Sequence, residues 1–236
     1  MKETIQTAAE SFLPALWAMS RAMYDHPELG LEEVIRDALC AAALLRAEPL
    51  ICPDRVYLLG HSMGGMLAPR IDAEGGAFAG LIFWAGTPRT LDALILEQNE
   101  ASLAAMPPEQ RAAAAPLVQA LREQFAALPR MAEEDAQHTH ILGNLWAWYF
   151  KEMLTHPPEE YLRRLTKPVL VLQGDRDAHL SVERDFRRYE ALLSAHPDAA
   201  FHLYPGLNHL FMPSPTGAIA EVLHEYQQPQ AVDSQV

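Results

Sequence analysis

Positive charge is scarce in this chain of 236 residues: 18 lysines and arginines stand against 31 aspartates and glutamates, a formal net charge of −13 at pH 7. A polyanion finds no footing on such a surface. Nucleic acid and anionic membranes are therefore excluded as partners, and the acidic surplus reads as a solubilising one. Cysteine is nearly absent. Cys40 and Cys52 make no framework of the kind that staples small secreted domains. Cys40 is expected in the core, on the apolar face of a helix, and Cys52 in a turn before Pro53. No apolar run approaches a membrane span, and the opening residues, Met1 to Gln6, form no apolar leader. Together these predict a cytoplasmic protein. Internal repeats are lacking too. What remains is 50% hydrophobic, which excludes a disordered chain and suffices for one sizeable core.

The most informative stretch is Gly60, His61, Ser62, Met63, Gly64. It follows a short apolar run at residues 56–59 and precedes a helix-compatible run at 66–71. A strand, a G-x-S-x-G turn and a helix form the setting of a nucleophile elbow. Such a turn is tight, so the glycines at both flanks, Gly60 and Gly64, are expected for want of bulk. The helix beneath aims free N–H groups at whatever the serine attacks.

Two further apolar runs end on residues that suit a serine. Residues 168–173 lead into Gly174, Asp175, Arg176, Asp177, and residues 200–204 lead into Pro205, Gly206, Leu207, Asn208, His209. Serine is a weak nucleophile and needs a base within hydrogen-bond reach. Histidine takes the proton and returns it to a leaving group. A carboxylate fixes the imidazole tautomer and stabilises the imidazolium.

With GHSMGG, KPVLVLQGDRD and YPGLNHLFMP in this order, the chain resembles the C-terminal part of an α/β-hydrolase, of the dienelactone-hydrolase and small-esterase type, over residues 32–211. The resemblance implies Ser62 as nucleophile, His209 as base and Asp177 as acid. That family's acid stands three residues after the strand-ending glycine, which selects Asp177 over Asp175. It implies Met63 as a backbone N–H donor to the oxyanion, and no cofactor or metal. A complete member has several strands before the elbow strand, with a loop there that gives the second oxyanion donor. Neither is found in the 55 residues before Val56, so the hydrolase fold is expected to lack its front. Residues 16–33, LWAMSRAMYDHPELGLEE, resemble instead the N-terminus of aminoacylase-type zinc amidohydrolases, whose metal-binding motifs are not found here. A fusion, a truncation and an engineered product remain open.

The expected architecture is an α/β fold: a partial α/β-hydrolase with a parallel sheet of about four strands, at Val56, Ala79, Val169 and Phe201. Short strands that are apolar on both faces and separated by helices predict a sheet covered on both sides. Residues 1–31 are expected to be a helical N-terminal segment. Its apolar stripe includes Phe12, Leu16, Met19 and Met23, and it ends before Pro27. Residues 32–236 form the hydrolase-like domain. Within it, residues 88–156 are expected to be a wholly helical lid, and the tail from Gln227 to fray. The elbow strand would then lie at an open edge, through which the chain would pair with a second copy.

Other side chains carry bland readings. His61 and His202 are expected to pack. His179 does not match the position of the base. His138 and His140, around Thr139, lack the acidic or thiol neighbours of a metal site. Trp146, Trp148, Tyr149 and Phe150 would build a lid core or line an acyl pocket. Two functions follow: a serine hydrolase that cleaves small carboxylic esters through an acyl-enzyme, weakened by the missing front, or a non-catalytic remnant that binds or assembles. A peptidase-like serine hydrolase is the close relative of the first.

Overall fold

The computed structural model describes residues 31–143 and 145–236. The helix expected to end at Pro27, and all but the last three residues of the stretch at 16–33, lie outside the described residues. Helix α1 (Glu32–Ala47) opens with Glu32 and Glu33 and closes with Arg46, the charge order that its dipole favours. Ile35 and Ala42 mark its buried face. Cys40 is exposed rather than in the core. At 3.6 residues per turn it stands roughly 140° round the helix from Ile35. Cys52, before Pro53, is exposed as well.

Four strands make one parallel sheet: β1 (Leu58–His61), β2 (Leu81–Trp84), β5 (Val169–Gly174) and β6 (Ala199–Tyr204), in the order β1-β2-β5-β6. The register sets Leu58 beside Leu81, Leu81 beside Val169, and Val169 beside Ala199. Every crossover is helical, as parallel pairing requires. Helix α2 (Met63–Ile71) joins β1 to β2, and α8 (Arg187–Leu192) lies between β5 and β6. Met66, Leu67 and Ala68 of α2 share one core with Leu81, Phe83, Val169 and Val171. Cover on both faces holds for β5, whose residues are nearly all buried. It fails for β6, which alternates half-buried and exposed positions. His202 is exposed there rather than packed inside, with its ring 4.3 Å from that of Tyr204. Among the described residues β1 is the other edge, and Tyr57 just before it and Leu59 within it are exposed.

Residues 88–156 carry α3 (Leu91–Ala105), α4 (Pro108–Ala127), α5 (Glu133–His138) and α6 (Ala147–Thr155). They are not wholly helical: β3 (His140–Ile141) and β4 (Leu145–Trp146) pair antiparallel. Positive φ at Leu142 and Gly143, 53° and 87°, turns the chain between them. Two-residue strands are too short for any alternation to announce them. The segment has a core of its own, with Leu121, Phe125, Leu128, Ile141 and Phe150. Helix α7 (Pro158–Leu162) leads back to the sheet, and α9 (Val222–Gln227) closes the fold.

Candidate active site

Ser62 sits between β1 and α2 with φ 56° and ψ −117°, a conformation that side chains rarely adopt and that costs about 1–3 kcal/mol. The surroundings hold it there. Its N–H donates to Trp84 O at 2.9 Å, and its carbonyl accepts from Gly65 N and Met66 N at 3.0 and 3.1 Å. Those two bonds leave the N–H groups of Met63 and Gly64, the first of the helix, outside the helical ladder. The crowding differs from the expected pattern. A Cβ at Gly60 would run into the Gly64 carbonyl, and one at Gly65 would lie 2.9 Å from both Gly60 O and Gly86 Cα, whereas one at Gly64 would meet nothing within 4 Å. The tight approach is therefore made by Gly60 and Gly65. The elbow pattern hid the second because it stops at Gly64.

Ser62, Asp177 and His209 come together at the C-terminal ends of β1, β5 and β6. Ser62 Oγ lies 2.9 Å from His209 Nε2, and His209 Nδ1 lies 2.7 Å from Asp177 Oδ2. A carboxylate only accepts, so Nδ1 carries the proton and Nε2 is left to accept from the serine hydroxyl. Asp177 is buried, and its Oδ1 accepts from His179 N at 2.8 Å and Leu180 N at 3.1 Å. Asp175 turns elsewhere and accepts from Gly206 N at 2.6 Å.

The loop that carries His209 is clamped from several sides. Arg176 donates to Ser214 O at 2.5 Å and to Pro215 O. Asn208 Oδ1 accepts from Leu210 N and Met212 N, and buried Glu225 of α9 accepts from Ser214 Oγ at 2.7 Å. A Cβ at Gly174 would collide with Leu207 O. Phe211, with φ 57°, is fully buried against Trp84 and Tyr204. None of these clamps shows a motif in sequence.

Two further imidazoles flank His209, each with its ring centroid 4.9 Å away. His61 is exposed rather than packed away, and its Nε2–H donates to the His209 carbonyl at 2.9 Å. His179 is half-buried, and burial, helped by the charge of His209, lowers its pKa below the ordinary histidine value. Burial, with the nearby Asp177 and Glu225 carboxylates, pushes Tyr226 up to about 12.

Of the four aromatic residues at 146–150, one reaches the elbow: Tyr149 Oη donates to Met63 Sδ at 2.8 Å. Phe150 fills the second core beside Phe125, Trp148 packs against that core, and Trp146 stacks on His140. His138 donates from Nδ1 to Glu134 O at 2.7 Å. Among the described residues no group of three metal-binding side chains converges, and no helix is long and apolar enough to cross a membrane.

Esterase EstD of Thermotoga maritima is 29% identical over 207 residues, which cover 87% of this chain and 46% of that protein. The uncharacterized peptidase YtmA of Bacillus subtilis is 21% identical over 193 residues, 81% of this chain and 62% of that protein. The chain thus spans from about half to under two thirds of the curated relatives it matches. Among solved structures, Est1E from Butyrivibrio proteoclasticus aligns with a TM-score of 0.47 at 17% identity, over 79% of this chain and 63% of that one. The Pyrococcus furiosus esterase Pf2001 aligns with a TM-score of 0.45 at 14% identity, over 83% and 58%. The alpha/beta hydrolase family model matches residues 10–222, a span that takes in the stretch at 16–33 read above as aminoacylase-like. With nearly the whole chain inside that match, the protein belongs to the alpha/beta hydrolase family.

Proposed function

We propose that the protein is a serine hydrolase that cleaves small carboxylic esters through an acyl-enzyme on Ser62. The observation that carries this reading is the relay from Ser62 Oγ to His209 Nε2 and from Nδ1 to Asp177, at 2.9 and 2.7 Å. As Ser62 attacks the ester carbonyl, His209 takes its proton, and the imidazolium is stabilised by Asp177. The carbonyl electron pair moves onto oxygen, beside the Met63 N–H at the start of α2. Collapse expels the alkoxide, which receives the proton from His209. Water, deprotonated by the same histidine, then attacks the acyl carbon, the bond to Ser62 Oγ breaks, and Oγ takes the proton back from His209 as the acid leaves. The esterase name of EstD supports esters as the substrate class. The peptidase name of YtmA favours peptide bonds as the second reading. We read residues 88–156 as a cover over the site, since α6 rests Tyr149 on Met63.

Stopped-flow release of p-nitrophenol from short-chain p-nitrophenyl esters tests the reading. A burst of one equivalent per chain followed by slower turnover, lost in Ser62→Ala, is expected. Turnover that survives in Ser62→Ala contradicts it, as does an inert wild-type chain, which would mark a binding remnant. Release of p-nitroaniline from aminoacyl anilides, faster than from esters, would favour the peptidase reading.

A further inference from the structure

The dipeptide His61–Ser62 grips His209 at two points. Ser62 Oγ lies 2.9 Å from its Nε2, and the His61 Nε2–H donates to its backbone carbonyl, also at 2.9 Å. Among the described residues these are the two hydrogen bonds that join the base loop to the elbow. The other clamps, through Arg176, Asn208 and Glu225, tie the loop to the end of β5, to itself and to α9. The sheet sets the His61 ring in place. His61 is the last residue of β1 and pairs in register with Trp84, whose ring meets its own edge-on at 6.1 Å. A carbonyl only accepts, so this bond fixes the His61 proton on Nε2.

The two bonds differ in how long they last. In the free enzyme the serine hydroxyl donates to His209 Nε2. In an acyl-enzyme Oγ is an ester oxygen without a proton. Nε2 of neutral His209 has none either, because Nδ1 keeps its proton and gives it to Asp177. Two acceptors cannot bond. The contact that set the imidazole against the elbow is thus lost when the imidazole must next receive a proton from water. Asp177 still holds the ring from the end of β5. On the elbow side the bond from His61 remains.

We propose that His61 is a positioning residue for the second half of the reaction: it keeps His209 in register with the acyl group on Ser62. The proposal rests on Ser62 forming an acyl-enzyme. Water gives one proton to His209 Nε2 as its oxygen bonds to the acyl carbon, and that proton passes to Oγ as the carbon–Oγ bond breaks. His61 keeps its own proton throughout. Without the His61 bond, acylation still has the Ser62–His209 contact, whereas deacylation has no hydrogen bond from the elbow. Deacylation therefore slows the more. A side chain that only stabilised the fold would slow both steps alike or lower the number of active chains.

The test uses p-nitrophenyl trimethylacetate, whose hindered acyl group leaves slowly. The nitrophenol burst gives acylation by its rate and the number of active chains by its amplitude. Mass spectrometry of acylated Ser62 after removal of the substrate gives deacylation. His61→Phe keeps a ring beside Trp84 but no donor, and His61→Gln supplies an amide N–H in place of Nε2–H. In His61→Phe the burst should keep its amplitude and nearly its rate, while deacylation slows by about tenfold, the scale of one hydrogen bond. In the steady state kcat and KM fall together and kcat/KM hardly moves. His61→Gln should recover most of the deacylation rate. Equal slowing of both steps, a fallen burst amplitude, or a His61→Gln as slow as His61→Phe overturns the positioning role. A wild type with no burst and no acylated Ser62 refutes the acyl-enzyme, and the role of His61 with it. A wild-type acyl-enzyme that His61→Phe discharges just as fast refutes the role of His61 alone.

Discussion

Arg70 and Glu152 form a buried ion pair of 2.5 Å between the helix that begins at the nucleophile elbow and the helix that carries Tyr149. Arg70 also holds Glu74 at 2.6 Å, but Glu152 Oε2 is buried and finds no hydrogen-bond partner among the described residues. The pair is thus a locator more than a source of stability. Glu152→Ala is expected to destabilise the fold by about 1–3 kcal/mol, because the buried Arg70 loses a charged partner at Nη1 and keeps only Glu74 at Nε. Arg70→Met with Glu152→Leu should restore most of that loss. Urea unfolding of both variants measures the difference, and a mild single variant with a worse double would refute this reading.

Asp177 holds His209 through Nδ1. In Asp177→Asn the amide presents either a donor or a weaker acceptor to that nitrogen, which favours the wrong tautomer. Ester turnover should drop by about 10⁴ with the fold intact. A drop of the same size in Asp175→Asn, whose carboxylate faces Gly206 N, would show that the acid has been misassigned.

The glycines of the elbow are expected to behave unequally. Gly60→Ala forces a methyl into the Gly64 carbonyl and should cost about 1–3 kcal/mol, as overpacking does, with loss of activity. Gly64→Ala places its methyl in open space and should be neutral or slightly stabilising in a helical position. Thermal melts of the two variants decide the matter, and equal losses would mean that the elbow is crowded on both sides of Ser62.

Burial, with a smaller contribution from His209, lowers the pKa of His179. Its native pKa lies below the ordinary 6.5, so between those two values the unfolded chain binds the proton and the folded one does not. Its contribution to stability is whole above pH 6.5 and is lost as the pH falls from there toward the native pKa. His179→Gln should flatten the acid limb of the Tm against pH profile. An unchanged slope would assign the acid sensitivity to other groups.

The sheet was legible because four short apolar runs, each bounded by glycine, proline or charge, had nothing else to become. Ser62, Asp177 and His209 were legible because each follows such a run. The supports were not. Gly65, Asn208, Glu225 and Tyr149 are ordinary residues whose roles arise only when distant segments meet. Cys40 was misplaced because an apolar helix with a narrow buried face leaves apolar residues outside it, and sequence does not reveal the width of that face. His202 was misplaced because alternation on an edge strand exposes residues that a central strand would cover. The hairpin at 140–146 was missed because two paired residues have no period.

The central claim is that Ser62 is the nucleophile, activated by His209. A fluorophosphonate probe followed by peptide mapping tests it most directly. The expected result is one adduct per chain, located on Ser62, whose rate of formation falls sharply in His209→Gln and which is absent in Ser62→Ala. An adduct on another residue, or labelling of Ser62 at the same rate without His209, would contradict it.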